Sequence, residues 1–255
     1  MEVLSGGRDD AIFKQNDTVI RPLSAHSEAV HRLLTHLHQE GFTSCPQFIS
    51  SDGKNEILSF VEGETYNYPL RGAIASDEAL MSAALLLRQF HDASATFLQS
   101  DHAQQHWMLP SREPAEVVCH GDFAPYNVAL KGQTVVGVFD FDTAHPAPRL
   151  WDIAYAVYCW APFKTHHIDK LGSLDQQIAR AKMFLDAYGV SEQERVSLVS
   201  TMVQRLHALV TFMVREAEDG DPGFQMSLSE GHHVAYLNDI EYLKLHQSKI
   251  HIGLI

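Results

Sequence analysis

The 255 residues hold 32 Asp and Glu against 19 Lys and Arg, a formal charge of −13, with 45% hydrophobic content. That length suits one large domain or two unequal lobes. The acidity excludes a general nucleic-acid binder, which needs a basic patch to displace phosphate counterions, and is compatible with a cationic partner or with plain solubility.

In chain order, AIFKQNDTVIRPL has two apolar runs around a Gln-Asn-Asp turn and predicts a hairpin. SEAVHRLLTHLHQEG carries Val30, Leu33, Leu34 and Leu37 at helical spacing, with Ser27 as expected N-cap and Gly41 as stop. After the turn SDGK, NEILSFVEG predicts a strand, and TYNYPLRGA an irregular link. From Asp77 the pattern turns helical: DEALMSAALLLRQFHDASATF is apolar enough to be largely buried. EVVCH predicts a short strand, and NVAL and VVGVFDF a second hairpin around KGQT. Beyond it LWDIAYAVYCW, LDQQIARAKMFLDAYG, EQERVSLVSTMVQRLHALVTFMVREAEDG and HHVAYLNDIEYLKLHQ all predict helices. A small α+β piece followed by a larger helical piece with an embedded hairpin outlines a two-lobed kinase.

Cys45, Cys119 and Cys159 are far apart and form no CxxC pair, which argues against a zinc ribbon or a disulfide framework. The sixteen histidines are scattered, and the adjacent pairs His166–His167 and His232–His233 cannot both face one ion from a regular element. The opening MEVLSGGRDD lacks the apolar run of a secretory signal, and no later run approaches the ~20 residues that cross a bilayer. A cytoplasmic location without membrane contact is expected. The oligomeric state is left open.

The stretch HGDFAPYNVAL, from His120, and the later DFD at 140–142 carry the chemistry. Moving a phosphoryl group from ATP requires magnesium on the phosphate oxygens and a carboxylate placed for the acceptor's proton. Magnesium takes oxygen ligands and keeps several waters, so one carboxylate and one amide from the protein suffice. Asp122 and Asn127 stand five positions apart in a loop stiffened by Pro125, and Asp140 ends an apolar strand, in the spacing of a kinase's catalytic Asp, metal-binding Asn and later metal-binding Asp. The plainer alternative is a polar turn whose Asp122 and Asn127 cap backbone groups.

HGDFAPYNV followed by VFDFD resembles the signature of the aminoglycoside phosphotransferase and choline kinase family, small-molecule kinases related in fold to protein kinases. The resemblance covers most of the chain, most strongly 115–163, and implies an α+β, two-lobed protein-kinase-like fold. Residues 1–65 would form an antiparallel-sheet nucleotide lobe with a hinge near 59–70, and 71–255 a mainly helical catalytic and acceptor lobe. It implies Asp122 as catalytic base, Asn127 and Asp140 as magnesium ligands, and His120 as a buttress of the loop. Asp142 is either structural or a secondary contact. Gly6 and Gly7 of SGG sit where the family covers the phosphates, and the backbone at Ser59 and Val61 in ILSFVEGE would bond adenine. Asp152 of RLWDIAY would be an N-cap and an internal brace.

The pattern departs at the third strand, where the family's lysine, held by a helix glutamate, is replaced by Arg21 of DTVIRPL. Arginine keeps the charge and can fork onto phosphate without being an automatic substitute for lysine. Its partner is not evident, since Glu28 lies at the helix start and Val30 and His31 stand nearer the expected place. Arg21 is therefore either a phosphate-binding cation or a solvated strand residue. The acceptor, a small molecule with a hydroxyl group, would sit over Asp122. Candidate contacts for a cationic acceptor are the acidic run EAEDGD at 216–221, then Glu230, His232 and Asp239, and a ring wall of Trp151, Tyr155, Tyr158 and Trp160. Each has a plain structural alternative in a solvated loop or a packed core. The leading expectation is an ATP- and magnesium-dependent small-molecule kinase; a nucleotide-binding regulator without turnover is the alternative.

Overall fold

Asn16 turns the first hairpin with a left-handed φ of +52°, which its short polar side chain tolerates. In the computed structural model of the chain, residues 2–4, 12–99 and 105–255 are described. Glu2–Val3 (β1), Phe13–Gln15 (β2), Thr18–Pro22 (β3), Phe48–Ser51 (β4) and Asn55–Ser59 (β5) form one antiparallel sheet in the order β1-β2-β3-β5-β4. The register of β3 on β5 sets Arg21 directly across from Glu56. Ser27–Gln39 (α1) buries Ala29, Val30, Leu33, Leu34 and Leu37, the stripe its helical spacing requires. Ser27 is its first helical residue rather than its cap; His26 holds the cap position without a side-chain bond, and the Ser27 hydroxyl accepts instead from the Ser24 N–H.

The chain divides into two compact units: one of Met1–Thr65, Leu85–Phe123 and Asn127–Arg149, and one of Tyr66–Ala84, Ala124–Tyr126 and Leu150–Ile255. Asp77–Ala95 (α2) contributes to both. The first unit adds two small antiparallel pairs to the sheet: Val117–Cys119 (β6) with His145–Ala147 (β9), and Val128–Lys131 (β7) with Thr134–Val138 (β8). The second hairpin thus forms where its sequence places it, closed at Gly132, whose φ is +63°. Strands β4 and β9 are too short and too exposed or proline-bearing to show a period-2 pattern in the sequence.

The second unit is helical: Arg149–Trp160 (α3), Leu174–Tyr188 (α4), Glu192–Arg195 (α5), Leu198–Glu218 (α6), Pro222–Ser229 (α7) and His232–Leu254 (α8). Every residue of α3 from Trp151 to Trp160 is buried, as expected of a helix apolar on all sides. Asp152 lies inside its first turn and is buried, so it is not the N-cap. The single helix predicted from EQERVSLV onward is broken. A capping box of Ser191 and Glu194 starts the short α5, and the chain restarts at Leu198 in a phase that buries Leu198, Val199, Met202 and Leu206. Arg195 of α5 donates at 3.0 Å each to the carbonyl of Val190, just past α4, and to that of Leu254, one of the last-turn acceptors α8 leaves open.

Candidate active site

Buried strand β6 delivers His120, Gly121 and Asp122. Gly121 has a φ of +82°, and a Cβ there would stand 2.3 Å from the Thr143 carbonyl oxygen, so glycine is required. The fully buried His120 ring is read from both sides. Its Nε2 lies 3.0 Å from the Phe139 carbonyl, which can only accept, and its Nδ1 receives the Asp122 N–H at 3.2 Å. These partners assign a neutral ring protonated at Nε2. His120 thereby joins the loop bearing Asp122 to the residue just before Asp140.

Pro125–Asn127 form a 3-10 turn that brings Asn127 back onto Asp122. The Asn127 Nδ2 donates to the Asp122 carbonyl at 3.0 Å and to its carboxylate at 2.9 Å. Asn127 does cap a backbone group, as the plainer alternative has it, but the same nitrogen also orients the carboxylate. With Nδ2 so used, Oδ1 is the atom the amide can offer a cation. The Phe139 N–H donates to the Asn127 carbonyl at 3.0 Å. Asp140, next in sequence, takes a left-handed φ of +66°, a conformation that concentrates at functional sites. Its side chain stays 47% exposed.

Arg21 faces this acidic edge. Its Nη2 donates to Asp142 at 2.6 Å and its Nη1 stands 3.8 Å from Asp140. Its Nε donates to Glu56, whose other oxygen is bonded by His31 Nε2. Burial works against the guanidinium charge, but Asp142, Glu56 and Asp140 outweigh it and hold the group firmly cationic. Arg21 is therefore not a solvated strand residue. Its partner is a strand glutamate that sequence inspection missed; the available signal was a lone acidic residue in the apolar run NEILS. Asp142 is paired with Arg21.

Ser59 and Val61 share a cavity of about 300 Å³ with Phe60, Glu62, Ser44 and Lys131 among its walls. The Ser59 N–H is taken by the Gln47 carbonyl at 2.9 Å, so the backbone group Ser59 can offer a ligand is its carbonyl. Arg21, Asp122, Asn127 and Asp140 do not line this cavity, which is a feature separate from the acidic cluster. Gly6 and Gly7 lie outside the described residues.

A model of the phosphotransferase enzyme family matches residues 100–197, the stretch holding Asp122, Asn127 and Asp140. A trifolitoxin immunity protein of Rhizobium leguminosarum bv. trifolii is 29% identical over 226 residues, 85% of this chain and 82% of its own. Among solved structures, a provisional aminoglycoside phosphotransferase of Ralstonia eutropha JMP134 superimposes with a TM-score of 0.63 at 13% identity, over 91% of each chain. An ethanolamine kinase of Plasmodium vivax does so with a TM-score of 0.59 at 12% identity, over 89% of this chain and 83% of its own. The fold is that of the protein-kinase-like small-molecule kinases. The resemblance drawn from the motifs is thus borne out, with its sheet-bearing N-terminal part and mainly helical C-terminal part.

Within the kinase fold's helical unit, several of the acceptor candidates are engaged by the chain's own groups. Arg205 stands over Tyr155 at 4.5 Å and over Trp151 at 5.7 Å. Lys164 stands 4.6 Å from the ring centres of both Tyr158 and Tyr68. Three of the four rings named as a possible acceptor wall, Trp151, Tyr155 and Tyr158, thus each have one of the chain's own cations beside them. Asp239 is buried and accepts from the Tyr158 hydroxyl at 2.6 Å and from Thr165. In the acidic run, Asp221 caps α7 through the Phe224 N–H at 2.9 Å and Glu216 pairs with Arg215. Glu230 lies 3.4 Å from His232. Asp221 and Asp239 thus serve the helices' own termini and packing.

Proposed function

We propose that the chain is an ATP- and magnesium-dependent phosphotransferase that moves the γ-phosphoryl group to a hydroxyl of a small molecule. One observation carries this reading: Asp122, Asn127 and the peptide before Asp140 are bonded into a single frame whose open edge meets Arg21. The half-exposed Asp140 carboxylate and the Asn127 amide oxygen are hard oxygen ligands of the kind magnesium takes. Asn127 and Asp140 would hold the ion, which would supply positive charge against the phosphates. The Asp122 carboxylate, steadied by the Asn127 amide, receives the acceptor's hydroxyl proton as the oxygen attacks phosphorus and the ADP oxygen leaves. Arg21 supplies positive charge to the phosphates. Ser59 and Val61 bond adenine through the backbone. Residues 1–65 act as the nucleotide lobe and 71–255 as the catalytic and acceptor lobe.

The acceptor class that a charge of −13 favours is a cationic amino-alcohol or an aminoglycoside-like molecule. Two structural relatives are named for such acceptors. Among the described residues no helix is long and apolar enough to cross a membrane. The arginine that stands at position 21 in place of a lysine favours a second reading, a nucleotide-binding regulator without turnover; the relative named for trifolitoxin immunity agrees with either. The readings separate on ATP consumption with a panel of amino-alcohols and amino-sugars, run beside thermal shift with ATP–magnesium. Acceptor-dependent ADP release supports the phosphotransferase. A raised melting temperature with no acceptor turned over sinks it in favour of the regulator.

A further inference from the structure

We propose that Glu56 and His31 are positioning residues for nucleotide binding, which hold the Arg21 guanidinium at the Asp140–Asp142 edge. The inference rests on the nucleotide reading above and extends it to two residues outside the catalytic motif. Arg21 and Glu56 are register partners on adjacent strands, so their side chains leave the sheet side by side. Glu56 is fully buried and spends both oxygens, one on Arg21 Nε and one on His31 Nε2. His31 is fixed in turn by stacking on Phe48, with ring centres 3.8 Å apart and planes 18° from parallel. A carboxylate gripped at both oxygens cannot swing, and it engages Arg21 at Nε only.

That choice of atom decides what is left for the ligand. Both terminal nitrogens of the guanidinium are directed to the acidic edge, Nη2 at 2.6 Å from Asp142 and Nη1 at 3.8 Å from Asp140. A guanidinium is a planar fork suited to two phosphate oxygens at once, but its long stem must be ordered before the fork is useful. A strand glutamate backed by a helix histidine supplies that ordering here. The competing explanation is a cluster that merely fastens β3, β5 and α1 to one another.

The two are separated by titrating ATP–magnesium calorimetrically into the full-length protein and its variants, with melting curves beside each. Glu56→Gln and His31→Leu are each expected to weaken ATP–magnesium about tenfold, and His31→Gln, which restores an N–H donor, to recover most of the loss. In an Arg21→Ala background, Glu56→Gln and His31→Leu should weaken binding no further, because they act through a side chain already gone. Additive losses in that background, or unchanged affinity in the single variants, overturn the inference while leaving the nucleotide reading intact. Should Glu56→Gln fail to fold, the His31 pair alone carries the comparison. A wild-type protein that does not bind ATP–magnesium overturns the nucleotide reading and this inference with it.

Discussion

The Asn127 amide nitrogen bonds Asp122 twice, at its carbonyl and at its carboxylate, 3.0 and 2.9 Å away. A five-residue loop is thereby closed by one side chain, and the carboxylate leaves it in a fixed direction. If that carboxylate takes the acceptor's proton, Asp122→Asn should lower turnover by roughly 10²–10⁴-fold while ATP affinity stays near normal. Steady-state rates with an active acceptor, set against nucleotide titration, check both halves. A variant that keeps most of its rate removes Asp122 from the role of base.

The metal edge is tested by stability rather than rate. Asp140 offers a half-exposed carboxylate beside a strongly held guanidinium, and that exposed side is open to an added divalent cation. Ligand binding to the folded state raises the melting temperature by mass action. Asp140→Ala should abolish the part of the ATP-induced shift that depends on magnesium, leaving any metal-independent part. An unchanged magnesium-dependent shift rules out Asp140 as a ligand.

How much of this was legible beforehand follows the distance along the chain over which each feature is built. Asp122, Asn127 and Asp140 sit within one loop and hairpin, where turn residues and apolar runs fix the spacing, and the structure bonds Asn127 to Asp122 and to Phe139, the residue before Asp140. Arg21 and Glu56 are 35 positions apart, and their meeting depends on the register of β3 on β5, which no local pattern specifies. The rings of α3 could be seen as aromatic and helical in spacing. That Arg205 comes over them depends on tertiary packing between distant segments. The break between α5 and α6 was hidden for a different reason, since no glycine or proline stands between Arg195 and Leu198 and Ser197, at the start of α6, makes no side-chain cap.

Gly121 offers a test of the loop's construction independent of any ligand. Gly121→Ala places a methyl 2.3 Å from a backbone oxygen at a φ of +82°, so the loop or the Thr143 segment must shift. Backbone strain and steric overlap together should destabilise the protein by about 2–4 kcal/mol. Denaturant unfolding at neutral pH measures it, and a loss below about 0.5 kcal/mol would show that Thr143 yields without resistance.

Glu56 makes stability depend on pH in a definite direction. Burial alone would raise its pKa, but the His31 bond and the Arg21 charge outweigh that and hold it below its ordinary value of 4.5. A carboxyl whose folded pKa is depressed binds protons more readily in the unfolded chain. Its contribution is therefore fully present above pH 4.5 and is lost as the pH falls through that value toward the lower folded pKa. Glu56→Gln should be less stable than wild type at pH 7, because an amide cannot match a buried carboxylate between a guanidinium and an imidazole. The gap should narrow steadily below pH 4.5, as protonation leaves the wild type with the same uncharged group. Urea unfolding of both proteins from pH 7 down to the acid limit of folding follows the difference. A gap that stays constant with pH would mean that the ionised Glu56 contributes nothing beyond its shape, and the Arg21–Glu56–His31 chain would then be held by packing alone.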